Sequence, residues 1–435
     1  MPLNNLSRRS FFQTSALAGV GFWVAGRPAF AGAKSPNEKL DIGIIGVAGQ
    51  GEYDLNNVTH ENIVALCDVD ESRAGKARER FPKAQFYTDF RKLIERNDID
   101  AVVVATPDHT HAPATLAALR SGKHVYCEKP LTHTVHEARL VAETAAREKR
   151  VTQMGTQIHA QPNYRRVVEL VRAQAIGPVR EVHVWVGKQW IGADRPQATP
   201  PVPKGLHYDL WLGPAPYRPY HEAYLPAKWR GWWDFGGGTL ADMACHYMDL
   251  PHWALGLRQP ITIEAEGPEP HPESAPATLT VRYEHPGRGT NPPVNLTWYH
   301  GGLRPPHFAD KNLKLPANWG DGVLFVGDKG MLLAKYGEHV LFPKREFRKY
   351  VRPLPSIPDS IGHHREWTEA CKTGGGTTCN FEYAGALTET VLLGNVAHRT
   401  GKKLEFDIAN CRVTNVPEAE PLIRKEYREG WTLTV

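Results

Sequence analysis

Three short apolar runs, set apart by stretches of helix length, constrain this chain more than any other feature. Leu40-Asp41-Ile42-Gly43-Ile44-Ile45-Gly46, Ile63-Val64-Ala65-Leu66-Cys67 and Ala101-Val102-Val103-Val104-Ala105 are brief and rich in β-branched residues. Such runs suit strands buried on both faces. Glu71 to Arg80 and Tyr87 to Arg96 read as helices between them. Strands that alternate with helices run in one direction, because each helix carries the chain back to the starting edge, so the pattern predicts a parallel sheet. It continues with a helix over Pro113 to Ser121, a strand over Gly122 to Cys127 and a helix over Thr134 to Glu148.

The alternation stops after Gly177-Pro178. A strand over Val179 to Gly187 leads into a Pro- and Trp-rich segment, Ile191 to Asp234, with no steady period. Long irregular segments of this kind usually build a site or an interface. Short strand-like runs recur from Ile261 to about Lys335, and helices are expected around His364 to Lys372 and from Tyr383 to Thr400. A chain of 435 residues is too long for one simple core. The prediction is an α/β fold with an N-terminal Rossmann-type doubly wound parallel sheet over 40–160. A C-terminal α+β domain, built on a large open and mainly antiparallel sheet, would occupy 161–435.

At the tip of the first strand stands Gly46-Val47-Ala48-Gly49-Gln50-Gly51, a G-x-G-x-x-G pattern in which Ala48 replaces the middle glycine. The pattern provides a tight turn and backbone N–H groups close to a pyrophosphate, and alone it is a weak signal. Its context strengthens it, since Asp68 ends the second strand about twenty residues later, where a carboxylate accepts from an adenosine ribose. Asp68 favours NAD over NADP. Thr106-Pro107 ends the third strand on the side where a nicotinamide would pass.

Cys127-Glu128-Lys129-Pro130 ends the next strand at the same edge, which turns Lys129 toward the crevice. Gly236-Gly237-Gly238 leads into Thr239-Leu240-Ala241-Asp242-Met243-Ala244-Cys245-His246, where a helix puts Asp242, His246 and Asp249 on one stripe. Oxidation of an alcohol needs a base for the hydroxyl proton while hydride leaves carbon, and His246 titrates in the useful range. Asp242 can orient the imidazolium, and Lys129 can hydrogen-bond the reacting oxygen with its pKa depressed by burial and by a cationic nicotinamide. An Asp-x-x-x-His pair by itself is more often a surface or core pair. Asp242, His246 and His252 form no standard metal pattern, so no metal is predicted. His159, Tyr164, Lys188, Trp229, Arg230 and Trp232 are substrate-side candidates, because aromatic faces stack on sugar C–H surfaces and basic groups bind hydroxyls. The aromatic cluster also reads as a domain-packing patch. His363 and His364 read as a helix-start pair outside the site.

Taken together, Thr106-Pro107-Asp108-His109-Thr110-His111, Glu128-Lys129-Pro130 and the glycine turn leading to Asp242 and His246 resemble the glucose-fructose oxidoreductase, inositol dehydrogenase and MocA (Gfo/Idh/MocA) family. The resemblance runs over essentially the whole chain after an N-terminal segment of about 31 residues. It implies Lys129, Asp242 and His246 as the catalytic set. Gly46, Ala48, Gly49, Gln50, Gly51, Asp68, Thr106, Pro107, His109, His111, Glu128 and Lys129 would line the dinucleotide. It further implies a sugar or cyclitol substrate and a homodimer or homotetramer formed through the open C-terminal sheet. Hydride transfer to or from a sugar hydroxyl, transient oxidation serving glycoside cleavage or elimination, and nucleotide binding without chemistry are three readings of these residues.

Ser7-Arg8-Arg9-Ser10-Phe11-Phe12, an apolar run from Ala16 to Ala25 and small residues at Ala29-Phe30-Ala31 predict a twin-arginine export signal over residues 1–31. Cleavage would place the protein in the periplasm or outside the cell, with no membrane attachment. That route carries folded proteins, which agrees with a cofactor acquired before export. A net charge of +5 without a concentrated basic stripe predicts no nucleic-acid partner. The six cysteines are scattered without metal-type pairs, which leaves room for one disulfide.

Overall fold

A computed structural model describes residues 38–289 and 291–433. The expected export signal lies outside the described residues. The first sheet holds β1 (Asp41–Ile45), β2 (Asn62–Cys67), β3 (Gln85–Tyr87), β4 (Ala101–Val104), β5 (His124–Cys127) and β6 (Thr152–Met154). Every pair in it is parallel, in the order β3-β2-β1-β4-β5-β6. The chain winds outward from β1 in both directions, and the crevice at the reversal, between the tips of β1 and β4, is where such sheets bind ligands. All four residues of β4 are buried, as a strand covered by helices on both faces requires.

Helices start where the sequence supplies caps. Asp70 accepts from the backbone of Ser72 and Arg73 at the head of helix Glu71–Arg80, and Thr134 with Glu137 closes a capping box on helix Val135–Arg147. The helix expected over Tyr87 to Arg96 is shorter. Tyr87 pairs with Cys67 in β3, and a five-residue helix, Phe90–Ile94, begins only after the cap at Asp89. The helix expected from Pro113 begins instead at Asp108, with Pro113 inside it. Proline there forgoes one backbone bond, and burial of Ala112, Ala114 and Leu116 offsets that loss.

The second sheet has nine strands. They are β7 (Val179–Val186), β8 (Thr262–Glu266), β9 (Leu279–His285), β10 (Val294–His300), β11 (Gly322–Gly327), β12 (Gly330–Lys335), β13 (Glu338–Phe342), β14 (Leu404–Asp407) and β15 (Arg412–Val413). Their order is β13-β12-β11-β7-β10-β9-β8-β14-β15; β7 and β10 are parallel and the other pairs antiparallel. One face packs Val182, Val184, Leu296 and Val281 against helices Gly238–Tyr247 and Phe381–Thr400. The opposite face carries Trp185, Leu324 and Leu333, covered by Phe308, Leu313, Leu315 and Trp319 from the segment 303–320.

The C-terminal part of the chain also returns to the first sheet. Trp367 and Cys371 of helix His363–Thr373 are buried with Ile42, Ile44, Val103 and Tyr126. His364 Nε2 lies 2.9 Å from Asp54 Oδ1, and His363 Nε2 lies 2.7 Å from the Met154 carbonyl. This histidine pair therefore docks the helix onto the first domain. All six cysteines are buried and free, so the disulfide for which the sequence left room is not formed. No helix among the described residues is long and apolar enough to cross a membrane.

Candidate active site

Positive φ in the β1 loop falls on Gly46 and Gly49, at 83° and 64°. A Cβ on Gly46 would stand 2.4 Å from the Ala105 carbonyl oxygen, and one on Gly51 would stand 1.9 Å from that of Gly46. Glycine is required at the first and last positions of the motif, while Ala48 keeps an ordinary backbone and faces the crevice without strain. Asp68 accepts from the backbone N–H of Val47 at 3.1 Å and of Asp70 at 3.0 Å, which holds its carboxylate at the crevice floor. Burial raises its pKa. Arg73, which the sequence reading did not include, lines the same end.

The crevice encloses about 240 Å³ between the loop after β1, the tips of β2, β4 and β5, and the Trp-rich segment. Glycine turns without clashing side chains, a carboxylate at the end of β2 and a helix beginning at Gln50 together fit the pyrophosphate and adenosine ribose of a dinucleotide. Gln50 donates to Glu128 at 3.2 Å and Gln157 does so at 2.6 Å. Glu128 is buried, and burial with the neighbouring Asp54 carboxyl raises its pKa well above normal. Gly155 leaves it space, since a Cβ there would meet Glu128 Oε1 at 2.2 Å.

Not every residue assigned to the nucleotide reaches the crevice. His109 is fully buried, with Nε2 2.9 Å from the Trp211 carbonyl and Nδ1 3.3 Å from that of Phe235, so it pins the Trp-rich segment to the first domain. His111 lines the wall, yet its ring nitrogens lie 2.8 Å from the carbonyls of Thr106 and Pro130. Its ring ties the tip of β4 to the turn after β5, and burial pushes its pKa down to about 4. Thr106, Pro107 and Asp108 line the crevice, and burial raises the Asp108 carboxyl to about 8.

Lys129 Nζ stands 2.5 Å from Asp242 Oδ1 and 2.9 Å from the Asp242 carbonyl. Three further groups converge on that carboxylate: Trp190 Nε1 donates to Oδ2 at 2.6 Å, Lys188 Nζ lies 2.9 Å from Oδ2, and Arg230 Nε lies 3.4 Å from Oδ1. Burial alone would raise the Asp242 pKa, but Lys129, Arg230 and Lys188 overcome it and hold the carboxyl far below its usual range. Burial would likewise lower Lys129, and the adjacent Asp242 charge reverses this and raises it. Of the two causes expected to depress the lysine, burial is present, and the Asp242 charge outweighs it.

The expectation that Asp242 orients the His246 ring is corrected as well. Among the described residues no hydrogen bond joins the two side chains, and His246 Nδ1 is buried without a partner. Burial first, and the Lys129 charge second, push His246 down to about 3, which corrects the expectation that it titrates in the useful range. Asp249 is not on the same helix, which ends at Tyr247. It starts the next one and pairs with His159 Nδ1 at 2.9 Å. His252 turns to the Met248 carbonyl and to Thr390 Oγ1, away from Asp242.

The substrate-side candidates divide into two groups. Lys188 and Arg230 reach the Asp242 centre, and Arg230 lies over the Trp229 ring at 4.3 Å and the Trp190 ring at 5.3 Å. Trp229 lines the crevice. His159 and Tyr164 are fully buried; His159 stacks on Trp253, and Tyr164 donates to the His246 carbonyl, so neither faces a ligand. Trp232 is buried in the aromatic cluster with its indole N–H on the Ala223 carbonyl. Trp190, like Arg73, is a residue that sequence reasoning missed, although its spacing of two from Lys188 beyond the end of β7 was a readable signal.

Residues 40–156 match the oxidoreductase family described as NAD-binding Rossmann fold, and residues 179–288 match the family's C-terminal alpha/beta domain. Among curated proteins the chain is 34% identical over 149 residues to inositol 2-dehydrogenase of Rubrobacter xylanophilus, covering 33% of this chain and 43% of that protein. It is 32% identical over 204 residues to a glycosyl hydrolase family 109 protein of Saccharopolyspora erythraea, covering 40% and 44%. The chain thus spans less than half the length of these curated relatives. An aldose-aldose oxidoreductase of Caulobacter crescentus shares the fold with a TM-score of 0.56 at 18% identity, over 85% of this chain and all of that one. Two matching domains in the family's order, on the fold and crevice described above, place this chain in the Gfo/Idh/MocA oxidoreductase family.

Proposed function

We propose that the protein is a nicotinamide-dependent oxidoreductase that acts on a hydroxyl carbon of a sugar, sugar derivative or cyclitol, with NAD preferred over NADP. The observation that carries this reading is the Lys129–Asp242 pair, whose lysine lines the dinucleotide crevice. When bound, the nicotinamide supplies a hydride acceptor or donor. Asp242 keeps Lys129 protonated and fixes two of its N–H directions, which leaves the third to donate to the reacting oxygen. His246, held neutral by burial, offers a lone pair to the hydroxyl proton of the substrate. Arg230, Lys188 and Trp229 present hydrogen-bond donors and an aromatic face to a polyhydroxylated ring.

The similarity to a glycosyl hydrolase family 109 protein favours a second reading, in which a sugar carbon is oxidised transiently, the aglycone is eliminated, water adds and the hydride is returned. Such a redox-neutral cycle suits a protein with a twin-arginine start, because a periplasmic or extracellular enzyme needs a retained cofactor. Export and assembly as a homodimer or homotetramer are part of the same proposal.

Incubation of purified protein with polyols, free sugars and glycosides separates these readings. Net cofactor reduction supports the dehydrogenase, and aglycone release without net reduction supports the redox-neutral cycle. Neither signal from a protein that binds nucleotide supports a non-catalytic role and defeats the proposal.

A further inference from the structure

On the face of the second sheet that turns away from the helices, Glu181 and His183 stand two residues apart on β7 and project to the same side. His307 meets them from the turn Pro306–Phe308, within the segment that covers this face. His183 Nε2 lies 2.5 Å from Glu181 Oε1, and His307 Nε2 lies 3.8 Å from the same oxygen. One donor atom from each of the three lies within 4.8 Å of the others, and the two imidazole centroids are 4.7 Å apart.

The surroundings are those of a ligand set. Tyr299 on the neighbouring β10 lies 3.0 Å from His183 Nδ1 through its hydroxyl. At 2.5 Å from Glu181 Oε1, His183 Nε2 carries the proton shared with Glu181; an ion would replace this proton while Nδ1 donates to Tyr299, which is how an outer hydrogen bond orients a metal-binding histidine. His183 is buried, and His307 Nδ1 is buried without a hydrogen-bond partner among the described residues. Glu181 is 43% exposed, so its carboxylate can withdraw by under about 1 Å to the donor spacing that bonds of about 2.0–2.2 Å demand.

We propose that Glu181, His183 and His307 bind one divalent transition-metal ion, zinc by the chemistry of the donors. Two imidazoles and a carboxylate suit zinc, whereas calcium and magnesium take oxygen ligands and copper(I) takes thiolates. Three protein ligands leave a fourth position for water. The ion fastens the segment 303–320 to β7 over the apolar patch of Trp185, Leu324 and Leu333. The trio His159, Asp249 and Cys379 has comparable spacing but all three residues are buried and Tyr383 donates to the aspartate, so an ion has no open way in.

The test uses the full chain free of any affinity tag, stripped with a chelator and titrated calorimetrically with zinc, then with cobalt(II) read by its visible absorption. The wild type is expected to take up one equivalent per chain, with a tetrahedral cobalt spectrum and a higher melting temperature when loaded. His307→Gln and Glu181→Gln, both on the accessible side, should each weaken binding at least about tenfold and abolish the thermal shift while the metal-free melting temperature stays put. His183→Ala removes a buried ring and is not relied upon. A wild type that takes up no stoichiometric zinc, or zinc uptake unchanged in His307→Gln and Glu181→Gln, overturns the proposal. Nucleotide binding plays no part in the readout, so failure here leaves the proposed activity untouched, and failure of that activity leaves this site untouched.

Discussion

The ammonium of Lys129 and the carboxylate of Asp242, 113 residues apart in the chain, stand 2.5 Å from each other with side chains 12% and 5% exposed. One comes from the turn after β5 and the other from the helix that follows the triple-glycine turn, so the pair exists only when the two sheets are docked. Each partner moves the other's pKa toward its charged form against the pull of burial.

Replacing Asp242 with Asn should therefore cost both activity and stability. Lys129, Lys188 and Arg230 would lose their shared counter-charge, and a buried charge left without its partner destabilises by about 3–5 kcal/mol, less whatever Lys129 recovers by releasing its proton. Turnover of the identified substrate should fall about 10²- to 10⁴-fold. Denaturant unfolding and steady-state kinetics measure the two effects, and nucleotide titration should show the cofactor still bound.

Gly51→Ala tests the loop. Its new methyl would meet the Gly46 carbonyl group, whose backbone atoms leave little room to yield, with the Ala105 methyl also close. Overpacking of this kind costs about 1–3 kcal/mol. A lowered melting temperature together with lost nucleotide affinity is the expected result, and a variant that binds nucleotide normally would contradict the placement of the pyrophosphate.

Asp68→Asn should lower affinity for NAD relative to NADP about tenfold, or about 1.4 kcal/mol, because an amide is a poorer acceptor for the ribose hydroxyl and no longer repels a phosphate. Arg73 at the same end would assist the phosphate. Because Asp68 also accepts two backbone N–H groups, the ratio of the two dissociation constants is the informative quantity.

Stability should decline as the medium is acidified. Burial lowers His111 and His364 to about 4 and His363 to about 3, below the ordinary histidine value of 6.5. An unfolded chain then binds protons more readily than the folded one, so stability from these neutral rings is complete above pH 6.5 and is lost as the pH falls toward 3–4. Melting temperatures taken across that interval should drop steadily. His364→Gln, which keeps a donor toward Asp54, should flatten the decline.

Much of the first domain was legible because its information is local. Runs such as Ala101–Val104 can be satisfied only by a strand covered on both sides, and Gly46 and Gly51 stand where any side chain would strike backbone. Lys129, Asp242 and His246 were picked out by the resemblance of their motifs to a known family, since the spacing of the Asp-x-x-x-His pair alone is ambiguous. Boundaries were less readable where packing outweighs propensity, as in the helix that begins at Asp108 and carries Pro113 within it.

The partnerships were decided by the tertiary structure. Spacing on a helix suggested that Asp242 serves His246, yet a carboxylate goes to the strongest charges within reach, and docking of the two sheets delivers Lys129, Lys188 and Arg230 to it. His109, His159, Tyr164 and Trp232 have the chemistry of ligand-binding residues and instead serve packing, because each is enclosed by segments distant in the chain. Sequence by itself determined which strands, turns and reactive groups this protein has. Folding determined which of those groups face one another, since burial and long-range charge depend on neighbours that no local pattern records.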